Sequence, residues 1–350
     1  MARTLARWGR EDGRCGVRTW QWVLGLAIGA VALYGAIRGL DLLALGEVLR
    51  SGRYGWLFPA LAALTVSVGA RAVRWRILLN DPPGLPFSRL WNVLNIGYLV
   101  THLVPFRMGE LARVLLLARH PQTPAGLVAM SIVVEHVLDL VAVLGLAGLA
   151  LAARPETLGM GVLSRAGIGL TGIALAGLAL GAFRPRWALG LIRWATRPLP
   201  RRLRAWVLRE TEAALAGLQV LRSPRALLLA LAWSLVAWGA VTAQLYAVMH
   251  IFLEAPDGQV ALLTTVAITF GMLVPSTPGY VGVVQGITVG VMGGFGVPQA
   301  AAFSISVVSH ALVYVYLSVL GAFGLWRETG ALRLDFLRRA DRPGGVFPSE

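Results

Sequence analysis

The chemistry this sequence offers is carried by charged side chains set inside apolar stretches. Arg107, Glu110 and Arg113 fall three apart, which puts them on one helix face. Glu135 and Asp139 fall four apart in a long apolar run with His136 between them, and His102 lies just ahead of the first group. Ionisable side chains at membrane depth cost about 2.5–3.5 kcal/mol each on insertion scales, so each needs a partner or water. Two arrangements meet that need. One is a structural ion-pair network, for example Arg113 with Glu135 or Asp139, that locks two elements together. The other is a polar pocket in which Arg107 and Arg113 hold a phosphate, since guanidinium matches phosphate oxygens in bidentate fashion. In that pocket Glu110 would orient the arginines. Glu135 and Asp139 would pair with them or receive a cationic head group. His102, Glu110, Glu135, His136 and Asp139 are also of metal-ligand type, but they form no HExxH and no familiar ligand spacing. Neither GxSxG nor a P-loop occurs. No catalytic residue, no metal and no cofactor is expected.

A second polar group surrounds Pro275, Ser276, Thr277, Pro278 and Gly279, followed by Tyr280, Gly282 and Gln285. It carries no charge. Its hydroxyls suit a head group or the backbone groups freed by a helix break, and Gly286 suits close helix approach. His310 and Tyr314, one turn apart further on, would line the same cavity.

These residues must be positioned by membrane helices. The chain is 57% hydrophobic and only 14% charged over 350 residues, which leaves no room for a soluble domain between its apolar runs. Full spans are expected at about 20–37, 54–73, 125–153, 166–183, 226–252 and 299–326. Two pairs of short apolar pieces, at 90–104 with 108–118 and at 260–274 with 282–295, are too short to cross a core of about 30 Å at about 1.5 Å per residue. They suit re-entrant hairpins. The expected fold is therefore all-α and integral to the membrane, with about six full spans and two re-entrant helical hairpins.

Net charge is +15 and all of the basic residues are arginine. The arginines cluster beside apolar runs, which fits the positive-inside rule and attraction to an anionic membrane surface better than nucleic-acid binding. The densest cluster, Arg184 to Arg209, suggests interfacial helices with Trp187, Trp194 and Trp206 at head-group level. The charge rule places both termini in the cytoplasm and the Glu254–Asp257 loop outside, in the plasma (inner) membrane. Cys15 stands alone, so no internal disulfide forms.

Leu103-Val104-Pro105-Phe106-Arg107-Met108-Gly109 and Leu273-Val274-Pro275-Ser276-Thr277-Pro278-Gly279 share L-V-P-x-x-x-G, 170 residues apart. Each copy sits at the break of a short pair flanked by full spans. By the charge rule the pairs enter from opposite sides, so two inverted repeats are expected, at 20–153 and 154–327. A basic stretch at 1–19 would precede them and a tail at 328–350 would follow. Interrupted segments at matching places in inverted halves point to a transporter's binding site.

At these residues the chain resembles the lysylphosphatidylglycerol synthase transmembrane (flippase-like) family. Pro105 to Arg113 is similar to the family's P-x-R-x-G-E-x-x-R motif. Arg74-Trp75, Glu135 with Asp139, and 275–282 fit the same pattern, and the resemblance runs from about 20 to 327. Two departures stand out. His136 follows Glu135 where the family often has arginine. Tyr280 and Gln285 stand where it often has glycine and glutamate. The resemblance implies a membrane part that moves a lipid between leaflets, without the soluble synthase domain of two-domain members. It also implies that aminoacyl transfer is not expected and that polyprenyl or isoprenoid-linked lipids join phospholipids as substrates. On this view Arg74, His102, Arg107, Glu110, Arg113, Glu135 and Asp139 form the head-group site. The second group, with His310, forms a cavity or gate. The alternatives are a polytopic transferase of lipid or glycolipid biosynthesis, with Asp41 and Glu47 as acids, and a scaffold for a separate lipid synthase.

Overall fold

A computed structural model describes residues 29–104, 108–153, 223–272 and 277–329, with a few single positions between 189 and 218. Every regular element among them is helical. Helix α1 (Gly29–Ile37) turns at Gly39, whose φ is +78°, into α2 (Leu42–Arg50) at 86° to it. The Asp41 carboxylate caps α2, accepting from the amides of Leu43 at 2.9 Å and Ala44 at 3.3 Å. This polar segment is helical because Asp41 satisfies its first free amides. Leu42 and Leu43 stay exposed on it, which suits a helix lying along the membrane surface.

A short 3₁₀ turn leads into α3 (Leu57–Leu78), which runs past the expected end at 73. It stops where Asn80 and Asp81 adopt positive φ, just before Pro82-Pro83-Gly84. Then follow α4 (Phe87–Leu103), α5 (Met108–Leu117) and α6 (Ala125–Ala153). After a gap in the described residues come α7 (Pro224–Phe252) and α8 (Gly258–Gly271). Ser223 caps α7 with proline at its first position, and Asp257 caps α8. The 3₁₀ turn Pro278–Tyr280, α9 (Val283–Gly294) and α10 (Gln299–Thr329) are the last described elements.

Among the described residues four helices are long and apolar enough to cross a membrane, and the bent pair α1/α2 makes up to five. The expected span at 166–183, most of the arginine-rich segment and both terminal segments lie outside the described residues. The two short pairs form as expected. At 17 and 10 residues, α4 and α5 are about 25 and 15 Å long, short of the hydrocarbon thickness.

The halves repeat in order and in packing. Both run long helix, short helix, break, short helix, long helix. The two leading long helices, α3 and α7, pack along each other. Their neighbours then exchange partners. Helix α4 packs on α10 while α8 packs on α6, and α3 meets α6 as α7 meets α10. Within each half the short helices touch each other, and the second touches the closing long helix. The first pair is closed by glycine, since α4 and α5 meet backbone to backbone at Gly97 and Gly109. Gly321 and Gly324 let α10 press on the backbone of Asn95 and Asn92 of α4 in the same way. Buried Trp75, Leu94, Ile96, Val100, Leu116 and Leu117 fill the space behind the first pair.

Candidate functional site

The arginines of α3 and α5 converge on the carboxylates of α6. Arg74 is wholly buried. Its guanidinium donates to Asp139, reaches Glu135 Oε1 at 3.0 Å, and donates to the Ser234 hydroxyl of α7 at 2.8 Å. Arg113 donates to Glu135 Oε2 at 2.6 Å and lies 4.0 Å over the ring of Trp75. The Trp75 indole in turn donates to Ser131 at 3.0 Å, which fixes the ring under the guanidinium. Arg71, one turn before Arg74, approaches Asp139 Oδ2 at 3.4 Å and lies 4.8 Å over Trp238 of α7. The Trp238 indole donates to Asp139 Oδ1 at 2.8 Å. Three cations and two anions from α3, α5 and α6 thus share one buried cluster, walled by α7.

A second cluster forms where the end of α4 and the turn Pro278–Tyr280 meet the closing helix α10. The last turn of α4 brings His102 flat against Tyr314, with ring centres 4.4 Å apart and 11° between planes. Tyr314 donates to the His102 carbonyl at 3.2 Å, one of those left unpaired by the end of α4. His102 Nδ1 lies 3.2 Å from the Ser318 hydroxyl. Across Tyr314, the turn Pro278–Tyr280 is held by a circuit of bonds. The Gly282 amide donates to Gln285 Oε1 at 2.7 Å, Gln285 Nε2 lies 3.0 Å from His310 Nδ1, and His310 Nε2 lies 2.8 Å from the Gly279 carbonyl. Gln285 has only N–H groups on its Nε2, so His310 accepts at Nδ1 and donates from Nε2. Thr277 donates to the Val281 carbonyl at 2.6 Å. Tyr280 holds a φ of +60°, a conformation that favours glycine.

The expected residues therefore sort into two places. Arg74, Arg113, Glu135 and Asp139 come together. Glu110 sits beside them on α5, with its carboxylate 2.9 Å from His136 Nε2. His102 leaves the arginine group. Its stack on Tyr314 places it with Thr277, Gly279, Gly282, Gln285 and His310, because α4 ends against α10. Arg107, Pro275 and Ser276 lie outside the described residues, and of Pro278 only the backbone turn is described. Arg71, Ser131, Ser234, Trp238 and Ser318 were not anticipated. Arg71 and Arg74 at three apart on an apolar helix, like Ser234 and Trp238 at four apart, are the signals that could have found them.

The 170-residue offset of the break motif carries into the interior. Arg74 and Gln244 are 170 apart, as are Asp139 and Ser309. Gln244 Nε2 donates to Ser309 at 3.2 Å, between α7 and α10, where Arg74 joins Asp139 between α3 and α6. One polar tie recurs at equivalent positions, charged in the first half and neutral in the second.

Long apolar helices, two broken pairs and a buried charge cluster define a multi-pass integral membrane protein. The family described as "Lysylphosphatidylglycerol synthase TM region" matches residues 22–321, and the chain belongs to that family. No curated protein and no solved structure matches the chain.

Proposed function

We propose that this protein binds the head group of a lipid inside its helix bundle and carries it between leaflets, without catalysing a reaction. A phospholipid or a polyprenyl- or isoprenoid-linked lipid is the substrate. The protein sits in the plasma membrane with both termini in the cytoplasm and arginine-rich segments on the anionic surface, and a separate synthase supplies the lipid. The observation that supports this is the buried cluster of Arg71, Arg74, Arg113, Glu135 and Asp139 between the first broken pair and three spans. Charge at that depth is costly, and broken helices persist where their freed groups face protein or a polar path. Membership of the family is consistent with lipid handling.

The test is movement of acyl-labelled phospholipids and a polyprenyl phosphate in liposomes holding the purified protein. Beside it stands the double variant Arg113→Met/Glu135→Leu. That variant removes both members of one ion pair and leaves Arg74 with Asp139, so it should fold. Movement by the wild type that stops in the folded double variant is the expected result. Undiminished movement in the variant would reduce the pair to a structural tie. No movement of any lipid by the wild type would overturn the reading.

A further inference from the structure

We propose that the second break is a proton-sensitive latch: the turn Pro278–Tyr280 and the start of α9 are held to α10 while His310 is neutral, and protonation of His310 releases them. The latch goes beyond the lipid reading and does not depend on it, since it follows from the direction of the hydrogen bonds.

The Gly282 amide can only donate, so Gln285 presents Oε1 to it, at 2.7 Å. That leaves Gln285 Nε2, which can only donate, 3.0 Å from His310 Nδ1. His310 Nε2 in turn faces the Gly279 carbonyl, which can only accept, at 2.8 Å. The circuit therefore fixes one tautomer of a neutral ring. A proton taken up at Nδ1 turns this acceptor into a donor aimed at the Gln285 amide nitrogen. Turning the Gln285 amide over only moves the conflict to the Gly282 amide. Turning the ring does not help either, because a charged imidazole donates from both nitrogens. Separation of the turn and α9 from His310 is what relieves it.

No acid among the described residues is placed to take the new proton's charge. Of the elements packed on α10, α4 presents His102, α7 presents Gln244 to the adjacent Ser309, and α9 presents Gln285. Tyr314, one turn along α10, has its ring centre 6.3 Å away. Helix α2 also packs on α10, and its Glu47 and Arg50, like its cap Asp41, make no contact with His310. His102 is differently placed. Its Nδ1 lies 3.2 Å from the Ser318 hydroxyl, which can donate or accept, so protonation there breaks no bond. Release at His310 would be felt at the end of α4, because a side-chain carbon at Gly279 would sit 2.7 Å from Tyr314 and Tyr314 stacks on His102.

The experiment is pulsed electron paramagnetic resonance on the full chain in nanodiscs. Spin labels are attached at Val281→Cys on the break and Val315→Cys on α10, in a Cys15→Ser background; both valines are exposed. The distance between labels is read at about pH 8 and about pH 4.5, on either side of the ordinary histidine value. A second, longer distance is expected at the lower pH. It should persist in His102→Asn, which keeps an acceptor for Ser318. His310→Gln keeps an N–H group for the Gly279 carbonyl but does not titrate, so it should hold the short distance at both pH values. Gln285→Glu should do the same, because its carboxylate accepts from both the Gly282 amide and a charged His310. A single distance at both pH values in the labelled parent would overturn the proposal. So would the same shift in His310→Gln or Gln285→Glu, or its loss in His102→Asn. Lipid movement in liposomes is read separately, so the latch and the translocation reading can each fail alone.

Discussion

A side-chain carbon at Gly109 would sit 2.0 Å from the carbonyl oxygen of Gly97. The first broken pair is therefore closed by bare backbone, with no room for a methyl group. The same contact positions the charge cluster, because a side chain at Gly97 would come within 2.7 Å of Arg113 Cγ. Gly109→Ala should pry α4 from α5 at a cost of about 1–3 kcal/mol, the range for overpacking. Thermal unfolding in detergent measures this, and an unchanged midpoint would show that the pair relaxes freely.

Arg74 is the hub of the cluster. Arg74→Ala leaves Asp139 and half of Glu135 buried without their principal cation. Breaking a buried pair from one side costs about 3–5 kcal/mol, whereas removing both partners costs far less. Arg74→Ala should therefore be much less stable than Arg113→Met/Glu135→Leu. Unfolding midpoints of the two purified variants, measured side by side, check the order.

The second break is fixed to α1. Gly282 has a φ of +90°, and a side chain there would meet the Gly29 carbonyl oxygen at 2.0 Å. Gly282→Ala adds a left-handed penalty of about 1–2 kcal/mol to that clash. The shift of α1 can be read by cross-linking. A carbon at Gly286 would lie 3.2 Å from Ala32 Cβ, close to disulfide reach, so Ala32→Cys/Gly286→Cys should oxidise readily. Adding Gly282→Ala should slow that oxidation; an equal rate would show that α1 keeps its seat.

His310 keeps the Pro278–Tyr280 turn bonded. His310→Leu removes the partner of the Gly279 carbonyl and of the Gln285 amide. An unpaired buried polar group costs about 1–3 kcal/mol. Faster hydrogen exchange at the Gly282 amide than in wild type is expected, because Gln285 would lose its anchor. Unchanged exchange would mean that Gln285 holds the turn alone.

Much of this was legible in the sequence, and the exceptions share a cause. The breaks near Pro105 and Pro275 followed from helix length against bilayer thickness. That Arg113 would pair with Glu135 or Asp139 followed from the cost of burying any of them alone. Those inferences need only local spacing and a sign. Arg71, Ser234 and Trp238 escaped because their roles depend on α3 lying along α7, and no local pattern states which helices become neighbours. His102 was grouped with the arginines by closeness in sequence, but the end of α4 faces α10. Helix α2 is absent from the expected elements because its polar residues hide a start that depends on one carboxylate, Asp41.

The tie between Gln244 and Ser309 has a consequence for how such a protein can change. Helix α3 packs on its counterpart α7, so the halves meet through equivalent helices, as the two subunits of a homodimer do. A true homodimer must place the same side chain at both copies of a position. An arginine at such a position would appear twice, with its acid. The joined chain escapes that rule, so one copy keeps Arg74 with Asp139 while the other holds an amide and a hydroxyl. The two halves thereby become chemically different while they keep the same order of helices, which makes one side of the bundle distinguishable from the other.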